Sequence, residues 1–147
     1  MERNVCTAVY EEMVLKYGQK DQIKIITPVD ILRIGRVARM SKGKQEEFTV
    51  ITVDGGANVI KTRVITKGLL NHSLVHPREV FRGAIMDNAH SIICVHNHPS
   101  GSLEPSSADI TVTKQLKEAG DIIGIGLLDH VIISKNGIQG LRSLGYV

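Results

Sequence analysis

Two histidines and one aspartate are spaced in this sequence so that they could hold a metal ion. His96 and His98 follow an apolar run, residues 92–95, that predicts a buried strand. Residues i and i+2 of an extended segment point to the same face, so both imidazoles can be directed at one point. Asp109 follows in the first turn of a predicted helix. Two neutral imidazoles and a carboxylate make a three-ligand zinc site that leaves a fourth position for water, as in catalytic zinc centres.

Each part of this pattern also has a simpler explanation. Ser106 and Asp109 fit a capping box, in which the serine caps a helix and the carboxylate folds back onto it. A lone His-x-His is a weak signal, because solvated histidines explain most such pairs. The metal interpretation depends on three features together: His-x-His at a strand end, a turn at residues 99–101, and Ser-x-x-Asp at a helix start.

The combined pattern resembles a known family signature. His-x-His, then seven residues, then Ser-x-x-Asp is similar to the JAMM (MPN+/JAB) metalloprotease motif, and residues 96–106 resemble its bacterial branch, the RadC-like proteins. Residues 77–81 and 127–132 extend the resemblance, which covers residues 44–146. It implies a zinc-dependent hydrolase that cleaves a peptide or isopeptide amide bond, with His96, His98 and Asp109 as metal ligands. It also implies an α/β fold of three layers, a mixed central sheet flanked by helices, similar to the cytidine-deaminase architecture.

The resemblance further implies two catalytic residues outside the ligand set. Glu46 would act as general base, and Ser106 would donate a hydrogen bond to the oxyanion of the tetrahedral intermediate. Neighbouring strand residues point to opposite faces, so only one of Glu46 and Glu47 can serve the site, and the resemblance favours Glu46. As a helix cap, Ser106 could have its oxygen committed to the backbone, in which case Ser107 would be the alternative cap.

The remaining pattern predicts strands that alternate loosely with helices, which is typical of a mixed sheet covered by helices. The predicted helices are 2–17, 28–40, 77–89 and 106–120, and the predicted strands are 48–53, 58–66, 92–95, 127–134 and 138–147. Residues 1–43 are expected to form an N-terminal helical extension packed on a single RadC-like JAB/MPN domain, 44–147. Asp129 and His130 interrupt an apolar strand, where they could support the metal ligands or form a structural hydrogen-bonded pair.

Composition narrows the function classes. The 147 residues, with 42% hydrophobic and 22% charged, suit one soluble domain. Two cysteines cannot form a disulfide framework, and no apolar run approaches the ~18 residues that span a bilayer. The first residues lack the build of a signal peptide, so a cytoplasmic protein without a membrane partner is expected.

Other functions are weighed against the hydrolase. RadC-like proteins are commonly labelled DNA repair proteins, and a net charge of +3 permits DNA as a partner. Few aromatic residues, no dense Lys/Arg run and no resemblance to the helix-hairpin-helix region of longer RadC proteins count against that role. A catalytically silent metal-binding scaffold is a further alternative. A zinc nucleobase deaminase is excluded, because its His-x-Glu and Pro-Cys-x-x-Cys motifs are absent. The sequence specifies neither the native substrate nor the oligomeric state.

Overall fold

A five-stranded mixed sheet lies at the centre of the computed structural model, which describes residues 22–68 and 75–147. The strands are β1 (Glu47–Val53), β2 (Val59–Lys67), β3 (Ser91–Asn97), β4 (Gly126–Ser134) and β5 (Gly137–Gly140). Their order across the sheet is β2-β1-β3-β4-β5. β3 and β4 are parallel, and the other neighbouring pairs are antiparallel. The parallel pair needs a long crossover, and that crossover carries the helix of the candidate site.

Helices cover both faces of the sheet. They are a 3-10 helix (Pro28–Arg33), α1 (Gly35–Met40), α2 (Pro77–Met86) and α3 (Ser107–Ile123). On one face, Phe48 and Cys94 pack with residues of α2 and α3 such as Leu116. On the other face, Ile51 packs with residues of the 3-10 helix and α1, including Ile31. The predicted three-layer α/β architecture is confirmed.

The predicted helix 28–40 is wrong in one respect, because it is interrupted. Its start is as expected, with Pro28 in the first turn and Asp30 Oδ2 accepting the backbone N–H of Thr27 at 2.8 Å. Ile34 then leaves the helical region, with φ −81° and ψ 103°, so a 3-10 helix ends there and α1 begins. Gly35 follows, and because glycine has a low helix propensity, the sequence here does little to continue the helix.

Two further expectations need correction. The apolar spacing of the predicted helix 77–89 places Ile85 on the inward face with Val80 and Ala84, but Ile85 is 58% exposed. The buried stripe of α2 is centred on Val80, Phe81 and Ala84, and Ile85 lies about 100° around the helix from Ala84. The predicted edge strand 138–147 is cut short, because β5 ends at Gly140 and turns follow it.

One further helix boundary differs from its prediction, and one predicted helix cannot be compared. α3 continues to Ile123 rather than residue 120 and ends where Gly124 adopts φ 83°, a left-handed conformation that glycine accepts readily. The predicted helix 2–17 lies outside the described residues. Within residues 22–68 and 75–147, no helix has the length and apolar character needed to cross a membrane.

Candidate metal centre

The carboxyl end of β3 brings the two histidines together. His96 is the penultimate residue of β3, buried on the face that α2 and α3 cover, and His98 follows the strand. Their ring centroids are 4.9 Å apart, with the ring planes at 88° to each other. The alternation of an extended segment therefore directs both imidazoles at one region, as predicted.

Asp109 completes the cluster from the first turn of α3. It is 1% exposed. Its Oδ1 lies 3.0 Å from His96 Nδ1, and its Oδ2 lies 3.2 Å from His98 Nε2. One ligand atom from each of the three residues falls within 4.8 Å of the others. Zinc ligands at about 2.0–2.1 Å in a tetrahedron lie roughly 3.4 Å from one another, so this donor set and its spacing fit the metal.

The electrostatics of the cluster keep the carboxyl of Asp109 ionised. Burial acts to raise the pKa of Asp109, but hydrogen bonds from His96, His98 and the backbone of Ser106 outweigh it and hold the pKa far below its usual range. The hydrogen bond with Asp109 in turn raises the pKa of His98, against the opposing effect of burial. An ionised carboxylate is the form that binds a cation.

Glu46, just before β1, and Glu47, its first residue, face opposite sides of the sheet. Glu46 Oε2 lies 3.7 Å from His96 Nε2, on the side of the cluster. Glu47 Oε1 instead accepts a hydrogen bond from Thr49 Oγ1 at 3.0 Å and lies 3.4 Å from Arg36 Nη2. The geometry thus places Glu46, not Glu47, beside the histidines, and its role as base stays a prediction.

Asn97 is a residue of the site that the sequence analysis missed. Its side chain points away from the metal cluster and is buried. Asn97 Oδ1 accepts the backbone N–H of Glu47 at 2.6 Å, and Asn97 Nδ2 donates to the carbonyl of Gln45 at 2.9 Å. One amide side chain therefore holds both peptide groups that flank Glu46. The sequence carried one signal for this role, a polar residue on the inward face of a strand. A buried amide side chain needs hydrogen-bond partners.

Ser106 caps α3, and Ser107 is the first residue of the helix. Ser106 Oγ accepts the backbone N–H of Asp109 at 3.1 Å, and the backbone N–H of Ser106 donates to Asp109 Oδ2 at 2.8 Å. The cap uses a lone pair of the hydroxyl oxygen and not its proton. Capping the helix and donating a hydrogen bond to a substrate are therefore compatible at this residue.

Thr113 connects the cluster to His130. Thr113 Oγ1 donates to the carbonyl of Asp109 at 2.6 Å and lies 2.7 Å from His130 Nδ1. A hydroxyl has one proton, so His130 Nδ1 must carry the hydrogen of the second bond. Asp129 faces the opposite side, where its Oδ1 accepts the backbone N–H of Arg142 at 2.9 Å. Of the two alternatives for this pair, His130 contacts the site through Thr113, and Asp129 is structural.

Comparison with known proteins identifies the family of this chain. Residues 25–146 match the family model described as RadC-like JAB domain. A UPF0758 protein of Methanospirillum hungatei is 58% identical over 139 residues, which cover 92% of this chain and 62% of that protein. A UPF0758 protein of Staphylococcus epidermidis is 46% identical over 126 residues, 86% of this chain and 55% of that protein.

A UPF0758 protein of Staphylococcus aureus is 44% identical over 129 residues, 88% of this chain and 56% of that protein. The chain thus spans only about 55–62% of the length of these curated relatives. The family match begins at residue 25 and so includes the 3-10 helix and α1, which form one layer of the fold. By the family model and the identity to these relatives, the chain belongs to the RadC-like JAB domain family.

Proposed function

We propose that this chain is a zinc-dependent hydrolase of the JAMM type that cleaves a peptide or isopeptide amide bond. The observation that carries the proposal is the convergence of ligand atoms from His96, His98 and Asp109 within 4.8 Å, beside the carboxylate of Glu46. Membership of the RadC-like JAB family supports it. The cytoplasmic setting expected from the sequence is part of the proposal.

The residues divide the chemistry between them. Bound zinc would supply a Lewis acid that polarises the amide carbonyl and lowers the pKa of water. Glu46 takes the proton of the attacking water and passes it to the leaving amine. Ser106 donates a hydrogen bond from its hydroxyl group to the developing oxyanion, a contribution typically worth ~3 kcal/mol. Asn97 fixes the backbone on both sides of Glu46 and thereby holds the base in place.

Metal content and peptide cleavage together test the proposal. The purified full chain should contain about one zinc per molecule, and Asp109→Ala should lose most of it because a ligand is removed. Glu46→Gln should keep the metal and lose cleavage of a peptide library followed by mass spectrometry. Glu47→Gln is the matched control, since it faces the other side of the sheet.

Wild type and Glu46→Gln together distinguish an active hydrolase from a catalytically silent scaffold. Full metal in wild type with equal cleavage in Glu46→Gln would remove Glu46 from its assigned role. Full metal with no cleavage of any peptide or isopeptide by wild type would favour the catalytically silent scaffold.

A further inference from the structure

A cationic cleft lies on the face of the sheet opposite the metal ligands. Its volume is about 480 Å³, within the roughly 300–1,000 Å³ of small-molecule sites. Its lining is drawn from α1, the loop that follows α1, and the ends of three neighbouring strands. The lining includes Gln45, Glu47 and Asn97 beside four cationic side chains.

The charges of this cleft do not balance within its lining. Four cationic side chains, Arg36, Arg39, Lys44 and Lys67, come from three separate segments of the chain, and all four are exposed. Glu47 is the one carboxylate in the lining, which leaves an excess of three positive charges.

Glu47 cannot neutralise all four cations. Its side chain is mostly buried, 3.4 Å from Arg36 Nη2 and 3.9 Å from Lys67 Nζ, and Thr49 already donates to it. No contact shorter than these joins a cation of the lining to a carboxylate among the described residues. A concave site with this excess is complementary to a multivalent anion.

We propose that this cleft binds a small ligand that carries a di- or triphosphate group. Arginine and lysine together suit phosphoryl oxygens, arginine through its planar fork and lysine as a point charge. The cations converge on one concavity instead of following a stripe, which fits a compact ligand better than a nucleic-acid backbone.

The ligand would be an effector and not the hydrolysed substrate. The sheet separates the cleft from the metal cluster, yet Gln45, Glu47 and Asn97 belong to both its lining and the clamp around Glu46. Ligand binding in the cleft should therefore perturb the backbone around Glu46. The binding itself does not depend on hydrolase activity.

Calorimetry with tripolyphosphate tests the proposal on the metal-free full chain in EDTA. One saturable site is expected at about 0.15 M salt, where weak surface attraction is screened. Arg36→Ala and Lys67→Ala should each weaken binding about tenfold, the loss of one charge-assisted hydrogen bond. Lys117→Ala on α3 is the control for Arg36, because their side chains are 46% and 48% exposed.

The position of the ligand needs a separate readout. Tripolyphosphate should shift the side-chain amide resonance of Asn97 in NMR spectra, and Asp109→Ala should bind it as well as wild type. Because neither readout involves cleavage, these results stand whether or not the chain is a hydrolase. A nucleoside triphosphate that binds more tightly would identify a nucleotide source, and equal affinity would show that the phosphate chain is the whole determinant.

Three results with tripolyphosphate would overturn the proposal. The first is the absence of saturable binding, and the second is a loss of affinity in Lys117→Ala equal to that in Arg36→Ala. The third is loss of binding in Asp109→Ala, which would show that the anion binds at the metal cluster. Affinity for single-stranded oligonucleotides that grows with their length, without saturable tripolyphosphate binding, would also overturn it. That result would make the cations part of a nucleic-acid surface.

Discussion

Asn97 stands between the two histidines in sequence, yet it acts on the opposite side of the sheet. Both hydrogen bonds of its side chain end on the backbone around Glu46, 50 and 52 positions away in sequence. The grouping of His96, His98 and Asp109 could be predicted because strand alternation and helix capping are local rules. The clamp could not, because it depends on which strand lies beside β3.

Asn97→Ala should lower kcat for amide cleavage and leave metal content and KM nearly unchanged. Supporting groups of this kind typically contribute about 10- to 100-fold. The measurement is kcat and KM of the variant and wild type, beside metal analysis of both. An unaltered kcat, or a parallel loss of metal, would contradict a positioning role.

Thr113→Val should destabilise the fold and weaken the metal site. It leaves the carbonyl of Asp109 and Nδ1 of His130 without their shared hydroxyl, at a cost of about 1–3 kcal/mol. Metal affinity should fall about tenfold, measured by competition with a chelator.

Thr111→Val is the matched control for this substitution. Its hydroxyl makes the same kind of bond to a carbonyl four residues earlier, but in an exposed position. Its free energy of unfolding should stay within about 0.5 kcal/mol of wild type. Equal effects in both variants would show that the link to His130 is unimportant.

Helices and strands could be predicted where periodicity was long and the caps were clear. β1, β3 and α3 appear close to their predicted bounds, since apolar alternation and the Ser106 cap mark them. The break at Ile34 and the early end of β5 could not be predicted, because tertiary packing decides them. The ion pair between Arg63 and Asp87, which joins β2 to the end of α2, could not be predicted for the same reason.

Asp87→Asn tests this junction through its pH dependence. Burial acts to raise the pKa of Asp87, but hydrogen bonds from Arg63 and Thr52 outweigh it, so the folded pKa lies below the ordinary 3.8. Its stabilisation is therefore complete above 3.8 and is lost as pH falls through the folded pKa. The variant should lose about 1–3 kcal/mol of unfolding free energy at neutral pH in urea.

In acid, this difference between Asp87→Asn and wild type should shrink. Asp121→Asn removes an exposed helical pair with Lys117 and should change stability by less than about 0.5 kcal/mol. A difference for Asp87→Asn that stays constant with pH would show that the carboxylate charge is not the cause.

At the scale of the whole molecule, the sheet separates two kinds of site. The cluster of His96, His98 and Asp109 lies on the side of α2 and α3, and the cationic cleft lies on the side of α1. The three-layer architecture could be predicted from the family resemblance. The cleft could not, because Lys67 and Asn97 lie far along the sequence from Arg36, Arg39 and Lys44 and meet them only after folding.

Zinc should raise the thermal stability of the whole domain. Since the unfolded chain does not hold the ligands together, zinc at 100 times its Kd adds about 2.7 kcal/mol, and a chelator removes it. Thermal unfolding with zinc or EDTA measures the difference, and Asp109→Ala should show little of it. An equal zinc shift in Asp109→Ala would place the bound ion elsewhere.

The pairing of β1 with β3 has one more consequence. Phe48 lies opposite His96, so a slip of one residue would exchange Glu46 and Glu47 between the faces. Such a slip would leave all three ligands in place and turn the acid beside them away. The register of β1 against β3 therefore decides which of the two neighbouring acids lies beside His96.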